Sequence, residues 1–198
     1  AEMRFFEHEH YLEDVRLVSD QLLPWEKLQN RSVLISGGTG LIGSFLVDVL
    51  MNRNMDHMMS CRIYILGRDE KKAKRRFDHY WHDERFRFIA HDINRPLIEE
   101  LEKIDYVIHL ASNTHPVKYA SDPIGTIAAN ITGLQNMLGF ASQHQAVRVA
   151  FASSNEVYGE NRGDTELFEE GYCGYINPNT LRAGYPESKR CGEALCQA

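Results

Sequence analysis

At 198 residues, with 43% hydrophobic and 25% charged residues, the chain has the size of one domain and enough apolar material for one sizeable core, which excludes disordered and collagen-like classes. A net charge of −6 and a pI near 5.8 give no field for polyanions, and the basic run Lys71, Lys72, Lys74, Arg75, Arg76 is offset by acids elsewhere, so no nucleic acid partner is expected. No apolar stretch approaches the roughly 18 to 20 residues that span a bilayer, and Ala1 to His10 lacks the apolar centre of a signal peptide; a soluble, cytoplasmic protein with no membrane partner is expected.

In chain order, Tyr11–Leu23 places Leu12, Val15, Leu22 and Leu23 near helical spacing until Pro24 breaks it. Residues 1–30 are read as a helical extension and residues 31–198 as one α/β domain. Short apolar runs at Ser32–Ser36, Arg62–Leu66, Arg87–Ala90, Asp105–Ala111 and Val147–Ala152 read as buried strands. Helical patterns at Leu41–Asn52, Glu70–His82, Pro96–Glu102 and Pro123–His144 alternate with them. That alternation requires a parallel sheet with helices on both faces, a Rossmann-like doubly wound fold. Glu160–Gly184 has no sustained period and predicts a long loop, which inside a compact domain is usually functional. Cys61, Cys173, Cys191 and Cys196 lack paired spacing and read as free thiols, and no His, Cys and acid grouping has metal-ligand spacing.

Val33-Leu34-Ile35 leads directly into Gly37-Gly38-Thr39-Gly40-Leu41-Ile42-Gly43, and an apolar helix pattern follows. In that context Gly37 permits a tight turn, Gly40 lets backbone approach a pyrophosphate at the helix start, and Gly43 allows helix and strand to pack closely. The second strand ends at Ile65-Leu66-Gly67-Arg68, where an NAD site usually offers an acid to the adenosine ribose. Arg68, with Lys71 or Lys72 nearby, leans toward the 2′-phosphate of NADP; the other reading is a solvated arginine with Asp69 serving the ribose of NAD. Tyr185-Pro186-Glu187-Ser188-Lys189 places Tyr185 and Lys189 on one face of a helix, where an ammonium favours the phenolate. Ser154, at the end of the fifth strand, lies at the carboxyl edge where open α/β sheets bind ligands.

From Ser32 onward this set resembles the extended short-chain dehydrogenase/reductases, the NAD-dependent epimerase/dehydratase family, whose members oxidise and reshape nucleotide sugars. The resemblance implies an NAD(P)-binding domain in which Ser154, Tyr185 and Lys189 are catalytic and residues 37–43 hold the cofactor. It also implies that Asp92 and Ile93 meet the adenine, that Leu110, Ala111 and Ser112 pass beside the cofactor, and that Asn130 supports the active site. His109 reads as a packed core histidine. Only nine residues follow Lys189, so the part that grips the sugar nucleotide is expected to be largely absent, and a homodimer is expected of the full-length form.

Within the family, Ser154-Asn155-Glu156-Val157-Tyr158-Gly159 resembles the segment of UDP-glucuronate decarboxylases, with Glu156 as a further catalytic residue. The likeness continues through Tyr172-Cys173-Gly174-Tyr175-Ile176-Asn177-Pro178, Arg182 and Lys189-Arg190, whereas Asn113 and Thr114 replace the usual Pro-Ala. Sugar 4,6-dehydratases, the next resemblance, carry an Asp-Glu pair where this chain has Asn155-Glu156, and simple 4-epimerases generally lack the glutamate. Ser112, Ser154, Asn155 and Arg182 are the candidate substrate contacts. Arg182 has two readings, meeting a substrate phosphate or carboxylate or pairing with Glu169 or Glu170. Against the enzyme stands a different class, a cofactor-binding module without turnover in this chain.

Overall fold

The computed structural model describes residues 8–112 and 121–198. Its centre is Ser32–Ser36 (β1), buried at every position, as a parallel strand covered on both faces must be. It pairs in parallel with Arg62–Gly67 (β2), which pairs with Phe86–Ala90 (β3); on its other side lie Tyr106–His109 (β4) and then Arg148–Phe151 (β5). The order is β3-β2-β1-β4-β5. Register sets Ser36 beside Leu66 and His109, so the central strands end level, and reversal of strand order between β1 and β4 opens a crevice at the carboxyl edge.

The helices are Glu9–Ser19 (α1), Leu41–Asp56 (α2), Glu70–Phe77 (α3), Pro123–Ala128 (α4), Leu134–Gln143 (α5) and Gly184–Gln197 (α6). Period-two alternation divides the core: Val33 and Ile35 pack with Val47, Leu50 and Met51 of α2 and Phe77 of α3, while Leu34 joins Val107 and, from α5, Met137 and Phe140. Among the described residues no helix is long and apolar enough to cross a membrane.

Several boundaries differ from expectation. The first helix ends at Ser19, before Pro24, and Glu70–His82 is α-helical only to Phe77, tightening at Asp78–Tyr80. Pro123–His144 is one helical run interrupted by a π turn at Ala129–Gly133. Pro96–Glu102 forms no helix. It is too short to repay nucleation, and its side chains are claimed elsewhere: Leu97 enters the core, Glu99 pairs with Arg87 of β3 and Glu102 with Arg62 of β2. Asn113 and Thr114 lie outside the described residues.

The first helix is fastened by a buried polar cluster. Tyr11 donates to the Asp48 carboxylate of α2, and Arg76 of α3 pairs with Asp48 and donates to the Tyr11 oxygen at 2.8 Å. Tyr11 also meets Phe45 edge-on, with ring centroids 5.7 Å apart. Burial pushes the Asp48 carboxyl from 3.8 up to about 6, against the pull of Arg76. Through that window the folded chain binds more protons than the unfolded one, so the contribution of Asp48 to stability falls as pH rises. Arg76→Leu strands the Asp48 charge; urea unfolding at pH 7 is expected to show a loss of about 3 to 5 kcal/mol. At pH 5, where Asp48 takes up a proton more readily, the loss should be smaller, and equal losses at both pH values would contradict this account.

Candidate active site

β1 runs into a loop that requires glycine. Gly37 has a φ of +74°, and a Cβ there would lie 2.7 Å from the Ala111 nitrogen and 2.9 Å from the Leu110 carbonyl carbon, so the loop rests on the backbone leaving β4. A Cβ on Gly43, in the first turn of α2, would come within 2.5 Å of the Gly37 oxygen. Gly40 is less crowded, its nearest neighbour being the Gly37 oxygen at 3.2 Å, and no side chain caps the start of α2. Thr39 is half-buried in the turn, and Leu41 and Ile42 are 79% and 72% exposed. The unpartnered N–H groups of a helix start, the positive end of its dipole and the space above Gly40 fit the pyrophosphate of a dinucleotide.

The neighbouring strands end around this cradle. Arg68 is exposed after β2, while Asp69 caps α3, its Oδ1 accepting from the Lys72 amide at 2.9 Å. Asp92, after β3, accepts from the Asn94 amide at 3.1 Å. Ile93 lies against the π turn, so close that a Cβ on Gly133 would meet it at 2.8 Å. Asn130, fully buried in that turn, accepts from the Ser112 hydroxyl at 2.7 Å and donates to the Ser188 hydroxyl at 2.9 Å. The Ser188 hydroxyl in turn donates to the Tyr185 carbonyl at 2.9 Å. One amide therefore ties the end of β4 to α6, in a π turn of the kind that recurs at functional sites.

Tyr185 and Lys189, 7% and 2% exposed, share a face of α6. The Lys189 ammonium donates to the Ala152 carbonyl at 2.6 Å and lies 4.6 Å from the Phe151 ring centroid and 5.8 Å from that of Tyr185. Burial pushes its pKa down to about 8. His109 stacks on Phe151 and has Nδ1 2.6 Å from the Ser36 hydroxyl; burial, and then the charge of Lys189, push it down to about 4. It is a neutral packed histidine.

After β5 two adjacent serines part company. Ser153 donates to Glu193 of α6, whereas Ser154 caps the tight turn Asn155–Tyr158, accepting from the Glu156 amide at 3.2 Å and lying 3.5 Å from the Asn155 side-chain oxygen. Glu156 accepts from Arg182 at 3.0 Å, and Arg182 lies in the turn Leu181–Ala183 immediately before α6. The alternative pairing of Arg182 with Glu169 or Glu170 is thereby corrected. Phe168 stacks between Tyr158 and Tyr172, and the Tyr172 amide donates to the Glu169 carbonyl, so that part of the loop folds on itself. The structure also brings in two residues that the sequence reading quoted within motifs but gave no role in the site, Ser188 and Arg190. Ser188 lies one turn after Tyr185, a spacing that could have marked it.

A family profile described as the NAD dependent epimerase/dehydratase family matches residues 33–198. The chain belongs to that family. It is 38% identical over 166 residues to UDP-glucuronic acid decarboxylase 3 of Arabidopsis thaliana, covering 84% of this chain and 45% of the relative. With UDP-glucuronic acid decarboxylase 1 of Danio rerio it shares 37% over 168 residues, covering 85% and 37%. The chain thus spans less than half the length of these curated relatives. Among solved structures, UDP-N-acetylglucosamine 4-epimerase from Methanobrevibacter ruminantium M1, in complex with UDP-N-acetylmuramic acid, is similar with a TM-score of 0.69 at 24% identity, covering 85% of this chain and 50% of that one. The dTDP-glucose 4,6-dehydratase DesIV from Streptomyces venezuelae, with NAD bound, gives 0.65 at 24% identity, covering 81% and 50%. These likenesses establish the fold.

The crowding at the three glycines separates binding from stability. Gly40→Val should reduce NAD(P) affinity at least about tenfold by calorimetric titration with little change in melting temperature, since its Cβ meets only one nearby atom. Gly43→Ala should instead cost about 1 to 3 kcal/mol of stability, because backbone must move. A folded Gly40→Val protein with unchanged affinity would remove the cradle from the site.

Proposed function

We propose that this chain is the cofactor-binding and catalytic part of a nucleotide-sugar enzyme that acts on UDP-glucuronate, oxidising C4 transiently and releasing the carboxyl carbon. One observation carries the reading: Glu156, paired with Arg182, is fixed after Ser154 and next to the helix of Tyr185 and Lys189, in a chain 38% identical to a UDP-glucuronic acid decarboxylase. Dehydratase chemistry is disfavoured because Asn155 carries an amide where a departing hydroxyl would need a proton donor. Simple 4-epimerisation does not call for the glutamate.

Gly37, Thr39, Gly40 and the backbone of Leu41, Ile42 and Gly43 would hold the pyrophosphate, Arg68 the adenosine ribose, and Asp92 and Ile93 the adenine. Leu110, Ala111, Ser112, Asn130, Tyr185 and Lys189 would line the nicotinamide end. Asp69 spends one carboxylate oxygen on capping α3, and the exposed Arg68 beside it would offer its guanidinium to a 2′-phosphate, which favours NADP over NAD. When bound, NAD(P) supplies the hydride acceptor, and later the donor, at C4.

Tyr185 takes the proton from the C4 hydroxyl, with the Lys189 ammonium beside its ring favouring the phenolate. Ser154 and Ser112 offer hydroxyls to the sugar. The resulting 4-ketone is a β-keto acid: its C5–C6 bond breaks, the electron pair moves toward the C4 oxygen, carbon dioxide leaves, and a proton returns to C5 before the ketone is reduced. Glu156 orients the ring and its water for that second half.

In the full-length protein, Tyr185→Phe is expected to lower C4 oxidation by about 100-fold or more, because it removes the acid/base group alone. Glu156→Gln should still transfer the first hydride, seen as reduced cofactor at 340 nm in a single turnover, but complete the cycle slowly. Normal turnover by Tyr185→Phe would overturn the mechanism. Separately, Arg68→Ala should weaken NADP by about 10- to 100-fold and NAD much less; equal losses by calorimetry would remove the NADP preference.

A further inference from the structure

The turn that bears Glu156 is short and has little of its own to fix it. Within Asn155–Tyr158 and its cap, the Val157 amide donates to Ser154 at 3.1 Å and the Gly159 amide to Glu156 at 3.1 Å; the chain then leaves through Gly159 with a φ of +71°. It next meets the far part of the long loop, where the Gly174 amide donates to Tyr158 at 2.9 Å and the Glu160 amide to Tyr175 at 3.0 Å. The Gly159 Cα lies so near that segment that a Cβ would fall 2.7 Å from the Tyr175 oxygen. These two segments form one small piece of backbone that hangs from the end of β5.

A single side chain of α6 joins both halves of it. Arg190 donates from Nε to the Val157 carbonyl at 2.6 Å and from Nη2 to the Gly174 carbonyl at 2.7 Å, while Nη1 lies 3.9 Å from the Glu187 carboxylate. The side chain is 24% exposed, against 66% for Arg182, so its charge-assisted bonds are better shielded from water than the Arg182–Glu156 pair. Arg190 directly follows Lys189, and the same helix turn therefore carries the active-site ammonium on one face and the grip on the Glu156 turn on another.

We propose that Arg190 is a positioning residue for Glu156, holding the turn that bears it in register with Tyr185 and Lys189. The planar fork suits two carbonyls at once; a lysine ammonium, a single point of charge, holds one. The inference rests on the role given to Glu156 above. A displacement of about 1 Å at a reacting group can cost about 100-fold in rate, so loosening this grip should be felt in the step that Glu156 serves and less in the first hydride transfer.

The test is a double-mutant cycle in the full-length protein, comparing Arg190→Gln, Glu156→Gln and the double variant. Steady-state release of carbon dioxide from UDP-glucuronate would be read beside single-turnover cofactor reduction. Arg190→Gln should lower overall turnover about 10- to 100-fold, with the first hydride transfer and KM within about threefold, and should add less than about twofold in the Glu156→Gln background. Arg190→Lys should recover part of the loss, and it carries the same cycle if Arg190→Gln does not fold. Normal turnover by Arg190→Gln, or a loss that multiplies in full with that of Glu156→Gln, would overturn the tether. An unimpaired Glu156→Gln enzyme would instead overturn the role of Glu156 itself, so the two failures are distinguishable.

Discussion

A buried ammonium must find partners, and the carboxyl edge of this sheet is arranged around the one on Lys189. At 2% exposure it is held by the Ala152 carbonyl at the end of β5 and lies over the Phe151 ring. Burial lowers its pKa to about 8. Fixing that nitrogen to β5 also fixes α6 to the sheet, and with α6 the phenol of Tyr185. His109, stacked on Phe151, is kept neutral first by its own burial and then by the same charge.

Three further contacts keep α6 in place, one reaching the segment after β4 and two the segment after β5. Asn130 links it to the end of β4 through Ser112 and Ser188, Glu193 takes the hydroxyl of Ser153, and Arg190 holds the Glu156 turn. The glycine loop enters the same arrangement from β1, since Gly37 rests on the Leu110–Ala111 backbone that leads to Ser112. The cradle for an anion and the tyrosine–lysine pair are therefore two ends of one connected backbone. In the proposed function, that connection would align a cofactor bound at one end for chemistry at the other.

The central strands were legible in sequence because each is a short apolar run, buried at every position in β1 and at most positions in β2, and β1 was expected at the residues it occupies. The glycine motif and the Tyr185–Lys189 spacing were legible for a similar reason, as local geometry dictates residue type. What escaped was set by long-range contacts. Pro96–Glu102 looks helical, yet arginines on β2 and β3 claim its acids. Neither the π turn at Asn130 nor the partner of Arg182 has a local period to reveal it, and Arg190 declares its role only when α6 meets Val157 and Gly174.

The central claim is that this edge removes a carboxyl carbon through a transient 4-ketone, with no net redox change. The most direct measurement supplies the full-length protein with UDP-glucuronate labelled with carbon-13 at C6 and follows gas and nucleotide products together. The account predicts labelled carbon dioxide in equal amount to a UDP-pentose, with the cofactor ending in its starting redox state. A nucleotide product that retains the labelled C6, such as a 4-epimerised UDP-hexuronate, with no labelled carbon dioxide, would contradict it.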